Sequence, residues 1–251
     1  MNAGAADVVD ARPLDGRVIL VVGAHGSLGE AAAKACARAG ARMVLLGRRV
    51  PKLKRLHAAI EGDGGECTLY PLDLEGASPD NYAEMAARIG EAHGRLDGVL
   101  HCAAEFRGLT PLTLTDPADF ARAVHVNLTA RWWLTQACLP LLGKATDAAV
   151  VFALDAQAPG MRAYWGGYGL AQAAQVALVD MLQSELGPKS PIRVSGLSPG
   201  PMRTPLRANA FIAEHDRAAV DPAHVAAQCV ELLSPAGKDW RGKIREPGSA
   251  A

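Results

Sequence analysis

The segment "VGAHGSLGE", Val22 to Glu30, carries the first spacing able to do chemistry. It follows a run of strand-forming residues and opens an Ala-rich helical pattern. Glycines at a strand-to-helix turn let the main chain approach a phosphate, and the helix N-terminus adds unpaired N–H groups and partial positive charge. Gly23, Ser27 and Gly29 are therefore candidate phosphate-cradling positions, and Ser27 is also a candidate helix cap. Further on, "LLGRR" ends a second strand pattern with Arg48 and Arg49. An acidic residue there accepts from a ribose 2′-hydroxyl, whereas arginine suits a 2′-phosphate. Arg48 thus favours NADP(H) over NAD(H). An exposed cation at a helix entry is the plainer alternative.

Elements of alternating kind must position these residues. "RVILVVG", "RMVLLG", "ECTLYPLDL", "LDGVLHCAA", "AAVVFAL" and "IRVSGL" read as six strands, the first a continuous apolar run as expected for burial on both faces. Helical patterns separate them, among them Pro79 to His93, about Pro117 to Leu142, and about Trp165 to Leu186. A further helix spans roughly Pro222 to Leu233. Strict alternation with short connections implies an α/β fold, a Rossmann-like doubly wound parallel sheet with helices on both faces. Ligands bind such sheets at the carboxyl ends of the strands, which places Gly23, Gly47, Asp73, Cys102 and Asp155 near one crevice.

Composition narrows the function classes. The chain has 251 residues, 49% hydrophobic, with 26 basic and 26 acidic side chains. One domain over 14–251 behind a loose arm of 1–13 is expected, with a lid at about 205–220. Balanced charge gives no general attraction to nucleic acid, and no apolar run is long enough to span a membrane. Five scattered cysteines without a CxxC pair fit a reducing cytoplasm better than a disulfide framework. His101 and His125 show no ligand spacing with other His or Cys, so no metal site is expected.

The spacing of Gly23, position 27 and Gly29 resembles the TGxxxGxG turn of the short-chain dehydrogenase/reductase family, with Val22 for the threonine and Ser27 for the middle glycine. The resemblance extends over about residues 14–235. "LYPLDLEGASPDNYAE", "LTARWWLTQACLPLL" and "RAYWGGYG" are similar, more narrowly, to its YciK-type bacterial subgroup. The family's last strand is poorly represented in "DWRGKIREPGSAA". The resemblance places Asp73 beside an adenine ring, with a capping aspartate as the rival reading. It places Pro199, Gly200 and Thr204 in a PGxxxT loop beside a nicotinamide amide.

The resemblance also implies hydride transfer between a nicotinamide and a carbonyl or alcohol, with a tyrosine, a serine, a lysine and an asparagine. Tyr168 matches the tyrosine and Asn127 the relay asparagine. The serine position holds Asp155 and the lysine position, four residues after the tyrosine, holds Gln172. "HCAA" replaces an NNAG-like turn and puts Cys102 where asparagine is common. A tyrosine of pKa near ~10 is a poor base at pH 7, and a cation within ~4–6 Å lowers it by ~1–3 units. Gln172 supplies no such charge, and an ionised Asp155 opposes it. The expectation is a degenerate site, weakly active or non-catalytic. The alternatives are an NADP(H)-dependent oxidoreductase with Tyr168 as acid/base, and a non-redox enzyme using Asp155 and Tyr168. Tyr164, one helical turn earlier, is a second phenol for the cleft. The expected partners are a small-molecule substrate or nucleotide, and a second copy of the chain or an active paralogue. Of the adjacent Trp132 and Trp133, one faces the core and the other a partner.

Overall fold

The computed structural model describes residues 12–155, 163–211 and 219–249. Most of the expected arm and the middle of the expected lid lie outside the described residues. The first strand, β1 (Val18–Val22), is buried along its whole length and feeds α1 (Ser27–Arg38). Then follow β2 (Arg42–Gly47), α2 (Val50–Gly62), β3 (Glu66–Pro71), α3 (Pro79–His93) and β4 (Gly98–His101). The long crossover after β4 is α4 (Pro117–Val124), one π-helical turn (His125–Thr129), and α5 (Ala130–Leu142). The remainder is β5 (Ala148–Ala153), α6 (Gly166–Leu186), β6 (Ile192–Leu197), α7 (Pro205–Ala208), α8 (Pro222–Leu233) and β7 (Ile244–Arg245).

The strands form one parallel sheet in the order β3-β2-β1-β4-β5-β6-β7. The order reverses between β1 and β4, and a crevice opens there beyond the strand ends. Residues of β1 alternate between two cores. Val18, Leu20 and Val22 pack with α3, α5 and α6 residues such as Met85, Leu134 and Val179. Ile19 and Val21 pack with Leu28, Leu53 and Val225 of α1, α2 and α8. This two-sided burial explains the uninterrupted Val/Ile/Leu run, because neither face of a central parallel strand meets water.

Two expectations change. The C-terminal segment does close the sheet: Ile244 and Arg245 pair with Gly196 and Leu197. The seventh strand is only two residues long, so it leaves little pattern to read. The crossover helix is also interrupted, because the π turn makes an i→i+5 bond from Ala130 N–H to the His125 carbonyl. Such single turns often occur at functional sites.

Candidate functional site

A cleft of about 480 Å³ lies across the carboxyl ends of the strands. Ten of the expected site residues line it: Gly23, Ser27, Arg48, Asp73, Asp155, Tyr168, Gln172, Pro199, Gly200 and Thr204. Gly29 and Asn127 stand behind its wall.

At one end the cleft meets the N-terminus of α1. Gly26, not Ser27, is the N-cap, and no side chain caps the helix. The N-termini of α3, α4 and α8 are instead capped by Ser78, Asp116 and Asp221. Ser27 is the first helical residue, so its expected capping role is not realised. The turn itself explains the glycines. Gly23 has φ +83°, and a Cβ there would lie 2.5 Å from the Ala103 nitrogen; a Cβ on Gly29 would strike the Gly23 carbonyl. Gly29 therefore serves the cleft through packing. An uncapped helix end under a tight glycine turn fits a phosphate-bearing ligand.

Beyond the turn, Arg48, Arg49, Lys52 and His25 form a basic end of the cleft. Burial, and then Arg49, Lys52 and Arg48, hold the His25 pKa below its ordinary value. Its Nδ1 is buried without a hydrogen-bond partner. Arg48 is also tied to carboxylates, with Asp73 at 3.7 Å and Glu75 and Glu105 at 3.8 Å. Asp73 accepts from the Glu75 N–H in a local turn, while Ser78 caps α3, so Asp73 is not a helix cap.

At the other end, α6 presents Tyr168, Gln172 and Gln175 on one buried face. Tyr168 is 6% exposed. It packs against Phe106 and Trp165, with ring centroids 5.0 and 5.9 Å away. Burial raises its pKa above the ordinary phenol value, Asp155 adds to the rise, and Arg131 opposes it. Gln172, 2% exposed, accepts the Asp155 backbone N–H at 3.0 Å. Asn127 is wholly buried within the π turn. Its Oδ1 accepts from the Glu105 N–H, and its Nδ2 donates to the Glu105 and Ala123 carbonyls. Both faces of its amide are thus committed to main chain.

Sequence reasoning missed Arg131. It lies on α5, one turn after Asn127, yet lines the cleft at 1% exposure. Its guanidinium donates to the Ala153 carbonyl at 2.9 Å, to the Ala103 carbonyl, and to the Gln175 side chain. Burial brings its pKa down to about 10. An arginine within an otherwise apolar helical stretch was the available signal, masked by the two tryptophans beside it. Burial also pushes the Cys102 thiol up to about 12.

The PGxxxT loop flanks this end. Gly200 has φ +72°, and Thr204 caps α7 by accepting from the Arg207 N–H. Phe211 stands 6.1 Å from Trp165 and under the Arg207 guanidinium, extending the aromatic wall. Tyr164 does not line the cleft. It precedes α6, has φ +77°, and is exposed.

A parallel sheet with a phosphate-compatible turn at its switch point, and a buried phenol across the same cleft, is the arrangement of a Rossmann-like α/β scaffold with a ligand cleft at its strand ends. The comparisons give the family: the short chain dehydrogenase model matches residues 17–215, and the chain belongs to that family. It is 35% identical over 231 residues to the uncharacterized oxidoreductase YciK of Escherichia coli K12, covering 92% of this chain and 90% of that protein. The solved structure of E. coli yciK, an oxidoreductase, superposes with TM-score 0.88 at 32% identity, over 93% of this chain and 96% of the other. A structure from Shigella flexneri 2a, described as a short chain dehydrogenase complexed with NADP, matches with TM-score 0.88 at 32% identity over 93% and 98%.

Proposed function

We propose that this protein is an NADP(H)-dependent reductase of low turnover, acting on the carbonyl of a small molecule with Tyr168 as proton donor. The observation that carries the reading is the placing of Tyr168 in one cleft with the uncapped α1 turn and the basic cluster of Arg48, Arg49 and Lys52. The Shigella relative's NADP complex supports the nucleotide assignment. NADPH, when bound, supplies a hydride. The residues do the rest. Gly23, Ser27 and the α1 N-terminus hold phosphate, and Arg48 with Arg49 and Lys52 receives the 2′-phosphate. Asp73 would border the adenine, and Pro199, Gly200 and Thr204 would border the nicotinamide. Tyr168 would donate its phenol proton to the oxygen of the carbonyl being reduced. The resulting tyrosinate then recovers a proton from water.

The rate follows from the electrostatics. A phenol held above its ordinary pKa is protonated at neutral pH but is a weaker acid, so it donates its proton slowly. Asp155 and Gln172 supply neither the hydroxyl nor the cation of the family pattern, and loss of a positioned acid–base system typically costs ~10²–10⁴ in rate.

A specific observation favours a second reading, that of a non-catalytic nucleotide-binding protein. Gln172 and Asn127, at two catalytic positions, are both engaged with main chain. Self-association through the exposed Trp132, Leu170 and Met181 belongs to either reading, and sedimentation velocity tests it. Calorimetric titration with NADPH and NADH, followed by NADPH oxidation with a panel of aldehydes and ketones, separates the two functions. Selective binding with slow, Tyr168-dependent turnover supports the reductase. Binding with no turnover above background supports the second reading, and no binding of either nucleotide overturns both.

A further inference from the structure

Among the described residues, Arg131 is a buried cation with no carboxylate among its hydrogen-bond partners. Its guanidinium is held at the ends of β4 and β5 by two main-chain carbonyls, and against α6 by the Gln175 side-chain oxygen. All three partners are neutral, and Nε has none. A buried charge is strongly disfavoured unless an opposite charge answers it, so the arrangement suits an anion that forms beside it. Gln175 lies seven residues beyond Tyr168 and three beyond Gln172, on the same face of α6. The guanidinium thus reaches the helix next to the position whose family counterpart is a lysine, and it lines the same cleft as the phenol.

We propose that Arg131, reaching across from α5, takes over the electrostatic role left vacant by Gln172, stabilising the Tyr168 phenolate and hence setting the acidity of the proton donor. The cation has moved from one wall of the cleft to another. This rests on the reading of Tyr168 as proton donor and extends it to a positioning residue. Among the described residues, the charged groups bearing on Tyr168 are Asp155, just after β5, and Arg131 itself. Phe106 after β4 and Trp165 before α6 pack against it as uncharged rings. Arg131 is the favourable one of the two charges. After proton transfer it faces the tyrosinate, where an opposite charge counts most.

The test needs neither nucleotide nor substrate, so it stands even where the reductase reading fails. A fluorinated tyrosine of low intrinsic pKa is placed at position 168, and its ionisation is followed by fluorine NMR against pH. Arg131→Met is expected to raise the midpoint by ~1–3 units, a ten- to thousandfold loss of phenolate at a fixed pH. Arg131→Lys is expected to stay near the parent value, and Gln172→Lys added to Arg131→Met to bring the midpoint back down. A merely structural arginine would move none of these in that order. An Arg131→Met midpoint equal to the parent's, or an Arg131→Lys shift as large as that of Arg131→Met, overturns the proposal. If Arg131→Met does not fold, Arg131→Met with Gln175→Leu removes the charge and its side-chain partner together, and the same midpoints decide.

Discussion

The Gln172 side-chain oxygen accepts the backbone N–H of Asp155 at 3.0 Å, tying α6 to the segment that follows β5. A lysine ammonium has three donors and no acceptor, so it cannot make this bond. Glutamine at 172 therefore has a structural role in fixing the end of β5. Gln172→Lys leaves a partly buried N–H unpaired, a loss of ~1–3 kcal/mol. In a domain of this size each kcal/mol lowers Tm by about 2–4 °C. Differential scanning calorimetry should therefore give a clear decrease. An unchanged Tm would mean the bond contributes nothing.

Two glycines of nearly equal φ separate backbone strain from close packing. Gly23 has φ +83° and Gly64 φ +81°. A Cβ at Gly64 meets open space, whereas one at Gly23 lies 2.5 Å from the Ala103 nitrogen. Gly64→Ala should cost only the left-handed penalty, roughly 1–2 kcal/mol, and leave NADPH binding intact. Gly23→Ala adds a clash with backbone that cannot move aside, so it should destabilise more and abolish NADPH binding. Chemical denaturation and calorimetric titration of both variants check this. Equal losses would place the cost in φ alone.

The sheet was legible because burial on both faces imposes long apolar runs. β2, β6, α3 and α8 have the bounds that their patterns indicate. β7 was not legible, since two residues make no pattern. That Gly23, Ser27, Arg48 and Tyr168 line one cleft was legible, the first three from local spacing and Tyr168 from the family resemblance. Arg131 was not: it reaches the cleft through contacts with residues 22, 28 and 44 positions away in sequence. Tyr164 misled for the opposite reason. Its four-residue spacing from Tyr168 implies a shared helix face, but α6 begins at Gly166.

Arg48 has two competing sets of partners. In the free protein it lies within 3.8 Å of Asp73, Glu75 and Glu105, and a 2′-phosphate must draw it from them. Charge-assisted bonds contribute about 1.5–3 kcal/mol. Arg48→Ala should therefore weaken NADPH binding by roughly 10- to 100-fold while leaving NADH little changed. Glu105→Gln removes one competitor and should tighten NADPH binding. Calorimetry of both variants with both nucleotides measures this. Equal loss of NADPH and NADH in Arg48→Ala would assign Arg48 to the shared part of the dinucleotide instead.

His101 makes the protein sensitive to acid. The ring is wholly buried, stacked 4.6 Å from Phe152, with Nε2 2.9 Å from the Thr135 hydroxyl. Burial, with Arg131 second, holds its pKa well below the ordinary histidine value. Below about pH 6.5 the unfolded chain therefore binds a proton that the folded protein does not. Stability from this group is complete above that pH and falls as pH drops, by about 1.4 kcal/mol per unit. His25 and His93, also lowered by burial, act in the same direction. His101→Gln removes the largest of these protons. Its loss of stability between pH 7.5 and 5 should be smaller than the wild type's by about 2 kcal/mol, read from urea midpoints at the two pH values. If the two proteins lose stability in parallel, the acid limb belongs to other groups.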